Sequence, residues 1–175
     1  MRARQAGFTL IEIIIAVSIL IVALVGLLSA ILHITRLNAV NREKLAVMRG
    51  AEKMLETMRN TAFEQIFTAY NAPAADDPFA GAPGADFDVD DLQVLPGDPD
   101  GKCGKIVFPT DGTGAQLDET TADADLMLPR DLDGDGVIGI AGDYRLLPVT
   151  IQIDWQSITG PRTWTYRTLL LDKSP

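Results

Sequence analysis

From Ile13 to Leu32 the chain runs for twenty residues without a charge. As a helix rising ~1.5 Å per residue, this run is about 30 Å long, the thickness of a bilayer's hydrocarbon core. It is longer than the ~7–15-residue apolar region of a secretory signal, and no A-x-A site follows it. The run is therefore expected to remain in the mature protein as a membrane span. One carboxylate, Glu12, abuts it. An ionised group within a span costs roughly 2.5–3.5 kcal/mol on insertion scales, so Glu12 requires a partner.

Flanking charge sets the expected orientation. Arg2 and Arg4 precede the span, which favours a cytoplasmic N-terminus. His33, Arg36, Arg42 and Lys44 follow it and weaken that vote. What lies beyond reads as a soluble acidic domain, so the N-terminus is placed inside. The formal charge of the chain is -9, and without residues 1–7 it would hold 13 basic against 24 acidic residues. That balance argues against nucleic-acid binding and suits solubility outside the cytoplasm or binding of cations. A single cysteine, Cys103, excludes an internal disulfide. It reads as a small, partly buried residue or a free thiol in a loop, because the one histidine, His33, lies at the membrane edge.

Residues 33–70 continue from the span without a Gly-Pro break. Leu45, Met48, Ala51, Leu55, Met58, Ala62 and Ile66 recur at three- and four-residue steps, which predicts one apolar stripe of an amphipathic helix. Gly50 reads as a weak spot, costing roughly 1 kcal/mol against alanine. The expected result is one helix of about sixty residues, on the order of 90 Å long. Residues 71–104 are rich in Ala, Pro, Gly and Asp and predict a long loop with at most one short strand near Phe87–Leu95. Lys105–Pro109 is a candidate strand. Val149, Ile151, Ile153 and Trp155 alternate with polar residues, Trp164, Tyr166, Thr168 and Leu170 alternate with Thr165, Arg167 and Leu169, and Ser157–Pro161 between them has turn chemistry. An antiparallel hairpin with one buried face follows. The expected fold class is α+β, a long N-terminal helix packed on a small antiparallel sheet.

Gly7-Phe8-Thr9-Leu10-Ile11-Glu12, after a short basic leader and before a long apolar run, resembles the class III signal of type IV pilins and type II secretion pseudopilins. The resemblance implies that a prepilin peptidase cuts between Gly7 and Phe8 and methylates the new amino terminus at Phe8. Together with the patterns above, it divides the chain into a leader at 1–7, a transmembrane and assembly helix at 8–32, an amphipathic helix at 33–70, a variable loop at 71–104 and, resembling the family only in plan, a sheet head with an Asp-rich loop at 105–175. It also supplies a partner for Glu12: the Phe8 ammonium, its own or a neighbouring subunit's. Opposite charges attract more strongly in a low dielectric, although desolvation offsets much of the gain. In that family the intersubunit pairing is thought to set the axial step. Where major subunits commonly carry a proline inside this helix, the chain has Ser29, and Ile21–Leu28 (IVALVGLL) and Ala51–Ile66 are similar to minor subunits. The implied partners are other pilin or pseudopilin subunits, the peptidase and the inner membrane. The implied location is single-pass, with a periplasmic head that later enters a filament.

A second motif lies at Asp131-Leu132-Asp133-Gly134-Asp135-Gly136-Val137. Aspartates at first, third and fifth positions offer three hard oxygens around one point, Gly136 permits a sharp turn, and the Val137 carbonyl adds a fourth ligand. This is the first half of an EF-hand or dockerin-type calcium loop. The twelfth position is Gly142 rather than an acid, and Asp143 follows one residue later, within reach of a bulged loop. The expected ligands for Ca2+ are Asp131, Asp133, Asp135, Val137 and Asp143; the alternative is a solvated Asp-Gly turn. No G-x-S-x-G or H-E-x-x-H motif is present, and the carboxylates sit in Gly-rich loops without the apolar surroundings that shift pKa values. The reading is a structural subunit with no catalytic residues and no small-molecule substrate. The alternative is a pilus-tip adhesin with a calcium-stabilised head.

Overall fold

The computed structural model describes residues 9–141 and 143–172. The chain divides into two compact units, Met1–Asn41 and Arg42–Pro175.

In the first unit the described residues form the start of α1 (Leu10–Arg59). From Leu10 to Leu32 every side chain is exposed, the apolar ones included. This is the one helix among the described residues long and apolar enough to cross a membrane. Its hydroxyls are satisfied internally. Ser18 Oγ donates to the Ile14 carbonyl at 2.8 Å, and Ser29 Oγ donates to the Val25 carbonyl at 2.9 Å, so neither hydroxyl depends on a partner outside the helix.

In the second unit α1 turns a different face to the core than the expected stripe. Val47, Ala51 and Met58 are buried and Met54 is half-buried, a series at i, i+4, i+7 and i+11. Leu45 and Met48, placed on the inner stripe by their spacing, are 51% and 52% exposed. Both lines share Ala51 and Met58, and the choice between them is made by close approach. A Cβ on Gly50 would lie 2.7 Å from Val89 Cγ1, so only glycine lets the 85–89 segment lie against the helix here. Gly50→Ala is expected to destabilise the head by about 1–2 kcal/mol despite its better helix propensity. Thermal unfolding of the full-length protein in detergent measures this; a higher melting temperature would contradict the contact.

The expected sixty-residue helix is broken at Asn60–Ala62, and α2 (Phe63–Tyr70) follows. The reason is phase. Phe63, Ile66, Phe67 and Tyr70 form a strong apolar face, but at ~100° per residue it lies roughly 140° from the Val47–Met58 line. An unbroken helix would aim it away from the core. After the break Ile66, Phe67 and Tyr70 are buried, and Phe67 packs edge-on to Phe108 at 5.3 Å.

Four strands make one antiparallel sheet in the order β1-β2-β3-β4: β1 (Asp86–Phe87), β2 (Gly104–Val107), β3 (Leu146–Ser157) and β4 (Gly160–Leu171). The hairpin closes through a two-residue turn at Ile158–Thr159, with Ser157 opposite Gly160. The expected alternation holds on β3: Leu147, Val149, Ile151 and Ile153 are fully buried and Trp155 nearly so. On edge strand β4 the same face is less covered, and Tyr166 remains 41% exposed. Pro148 is tolerated in β3 because β2 pairs only with Thr150–Ile153; beyond that point β3 has one neighbour, and no ladder bond from position 148 is forfeited on the other side. Trp155 Nε1 donates to Glu43 Oε2 at 3.1 Å, fastening sheet to helix.

Candidate functional site

The segment between β2 and β3 folds the acidic loop. Asp131 accepts backbone N–H groups from Gly134 on Oδ1 (2.5 Å) and from Gly136 on Oδ2 (2.9 Å). Asp133 accepts from Asp135 N and Asp135 from Val137 N. These bonds wind the chain into a tight coil, with Gly134 at φ +83° and Gly136 at φ +85°, a backbone region that favours glycine. The Gly134 N–H, ahead of that from Gly136, holds the Asp131 carboxyl below its ordinary range.

The acid that completes the cluster comes from elsewhere in the chain. Glu119 is 1% exposed. Its Oε1 accepts from Leu132 N and its Oε2 from Gly139 N at 2.9 Å, so one carboxylate spans both arms of the loop. Backbone bonds from Glu119 N to the Gly139 carbonyl and from Arg130 N to the Glu119 carbonyl hold it there. Carboxylate oxygens of Glu119, Asp131 and Asp133 lie within 4.8 Å of one another, a hard-oxygen donor set that suits a cation such as Ca2+. Asp135 and Asp143 stand outside that group. Asp143 instead accepts from Tyr144 N at 2.8 Å, Val137 is 64% exposed, and residue 142 lies outside the described residues. Glu119 is not legible in the sequence as a member of this cluster: it lies twelve residues before Asp131 and belongs to no spacing rule.

Directly after the loop, Tyr144 fixes α2. Its hydroxyl donates to the Phe63 carbonyl at 2.7 Å and accepts from Phe67 N at 3.2 Å, and its ring lies 5.1 Å from that of Phe63. Burial pushes the phenol pKa up to about 12.

At the other end of the chain, Glu12 lies in the first turn of α1. Its N–H approaches the Thr9 carbonyl at 3.1 Å and Thr9 Oγ1 at 3.4 Å. Thr9-x-x-Glu12 thus has the spacing of a capping box, with the carboxylate at the positive end of the helix dipole. Gly7 and Phe8 lie outside the described residues.

Residues 2–28 match the family described as the prokaryotic N-terminal methylation motif. The chain fits a pilin-like plan. It joins that class III signal to a long N-terminal helix and a small antiparallel sheet, and the motif supports a type IV pilin or pseudopilin-type subunit processed by prepilin peptidase. No curated protein and no solved structure matches the chain. In a pilin-like subunit the apolar surface of α1 suits inner-membrane anchoring followed by assembly with other subunits.

Proposed function

We propose that the chain is a minor subunit of a type IV pilus or type II secretion-type filament. The observation that carries this is the methylation motif running directly into a helix whose apolar side chains are all exposed from Leu10 to Leu32. Cleavage between Gly7 and Phe8 creates a methylated ammonium at Phe8. Glu12 neutralises it as helices pack, and a buried ion pair of this kind acts as a register device. Ser29, in place of the proline of major subunits, favours the minor role. The N-terminus is cytoplasmic before extraction and the head periplasmic. Helix contacts in lipid gain little from the hydrophobic effect and depend on close packing and polar pairs, so the work of the molecule is packing rather than catalysis. Intact mass of the native protein tests the proposal: loss of residues 1–7 with one added methyl group is expected, and retention of those residues overturns it.

A second reading, a calcium-stabilised head suited to binding at a filament tip, is supported by the buried Glu119 carboxylate beside Asp131 and Asp133. A bound calcium would supply positive charge to three carboxylates held close together. At a hundredfold excess over its dissociation constant, a ligand of the folded state adds about 2.7 kcal/mol. The head is expected to melt higher in Ca2+ than in chelator. Glu119→Gln removes that difference, and Asp143→Asn retains it. Equal melting with and without Ca2+ would refute this reading.

A further inference from the structure

Asn71 ends α2, and capping does not account for it. Asn is common at helix ends because it tolerates the left-handed conformation, but Asn71 is extended, with φ -77° and ψ 177°. Its N–H donates to the Phe67 carbonyl at 2.9 Å, a bond that any residue but proline supplies. Asn71 is nonetheless only 3% exposed. Its Nδ2 donates to Asp76 Oδ2 at 2.7 Å. That bond fixes the amide, because the opposite orientation would set two acceptor oxygens against each other. Asn71 Oδ1 and Asp76 Oδ1 are then both buried, and neither accepts a hydrogen bond from a described residue.

Two shielded acceptors on groups bonded to one another require a donor or a positive charge. The surrounding sequence supplies no cation. Residues 60–101 hold nine carboxylates and no lysine, arginine or histidine. Lys102 Nζ donates to the Asp86 carbonyl at 3.0 Å. The ion pairs among the described residues engage Asp90, Asp123 and Asp125 rather than Asp76. A bridging water satisfies both oxygens but leaves the carboxylate without a counter-charge, which burial penalises. A cation answers both needs.

We propose that Asn71 Oδ1 and Asp76 Oδ1 are ligands of a Ca2+ ion at the end of α2, separate from the Glu119 group and independent of both readings above. The donors are hard oxygens, one neutral and one anionic, and Ca2+ takes such mixtures in flexible shells of about 6–8 oxygens. Turn carbonyls, water and the half-buried Asp77, which follows Asp76 directly, are the sources for the balance. Mg2+ gives up its waters reluctantly and suits a shielded site less well. The ion ties the segment 71–84 to α2, alongside the bond from Gly84 N to the Ala69 carbonyl at 3.0 Å. Affinity follows the number of charged ligands. Having fewer carboxylates than the Glu119 group, this site fills at roughly millimolar Ca2+, above the concentrations that saturate that group.

The test follows the Asn71 side-chain N–H resonances of the full-length protein in detergent, isotope-labelled at asparagine, during titration with Ca2+ alone. The expected result is a saturable shift at roughly millimolar Ca2+, present also in Glu119→Gln. Asp76→Asn keeps the shape of the side chain, removes its charge and weakens the binding roughly tenfold or more. No shift, a shift lost in Glu119→Gln, or one that Asp76→Asn leaves unchanged assigns the two oxygens to water and overturns the proposal. Should Asp76→Asn fail to fold, paramagnetic Mn2+ decides in the Glu119→Gln protein. Broadening of the Asn71 resonances ahead of those of Asn38, Asn41 and Asn60 supports the site, and uniform broadening overturns it.

Discussion

Glu12→Ala leaves the chain in the membrane and keeps it out of filaments. Removing a carboxylate from the edge of an apolar span lowers the cost of insertion, which is roughly 2.5–3.5 kcal/mol for such a group, so the membrane-fraction signal persists. Assembly is the step that suffers. If the Phe8 ammonium and the Glu12 carboxylate pair within packed helices, deleting one partner strands the other, at about 3–5 kcal/mol. That is roughly two to four powers of ten in an association constant. Immunoblots of sheared-filament and membrane fractions read both quantities at once. The capping geometry of Thr9 and Glu12 offers a competing explanation, worth about 1 kcal/mol. Thr9→Ala separates them, because it removes the cap and leaves the charge. Near-normal assembly in Thr9→Ala with none in Glu12→Ala assigns the effect to the ion pair. Normal assembly of Glu12→Gln would show that charge is not what Glu12 contributes.

The largest expected loss of head stability is from Ile151→Ala. Ile151 is fully buried at the centre of β3, opposite Ile106 on β2 and Tyr166 on β4. Truncating such a side chain costs about 2–5 kcal/mol in lost transfer energy and residual cavity. Domains of this size are stable by about 5–15 kcal/mol, so the variant retains half or less of its margin in the less favourable cases. At about 2–8 °C per kcal/mol, its thermal transition moves down by roughly 4–40 °C. Tyr166→Ala, in the same row but half-exposed on the edge strand, is expected to cost no more than about 1 kcal/mol. If the two variants melt together, the burial gradient from β3 to β4 is not the source of the sheet's stability.

Both results depend on elements whose local chemistry is unambiguous. The span declares itself because bilayer thickness fixes its length. The faces of β3 and β4 declare themselves because a period of two leaves one register for Val149, Ile151, Ile153 and Trp155. The amphipathic half of α1 was harder. Leu45 and Met48 fit a helical stripe as well as Val47 and Met54 do, and the selection is made by Val89, more than thirty residues away, pressing on Gly50. The break at Asn60–Ala62 was obscured because Ala62 and Ile66 extend the earlier stripe by spacing alone, whereas Phe63, Phe67 and Tyr70 carry the greater apolar area on another phase. In the acidic loop, Asp131 and Asp133 were legible from their alternation with Gly134 and Gly136. Glu119 was not, because its place is set by bonds to Leu132 and Gly139, and no local pattern encodes a carboxylate delivered from a different strand of the loop.

The hydroxyls of Ser18 and Ser29 bind carbonyls of their own helix, one turn back. Neither side chain needs anything from its surroundings, so at these positions the helix is indifferent to whether fatty-acyl chains or another polypeptide lies alongside. Transfer between those two solvents dismantles no hydrogen bond at either serine, and a subunit can leave one for the other without a polar toll at mid-span.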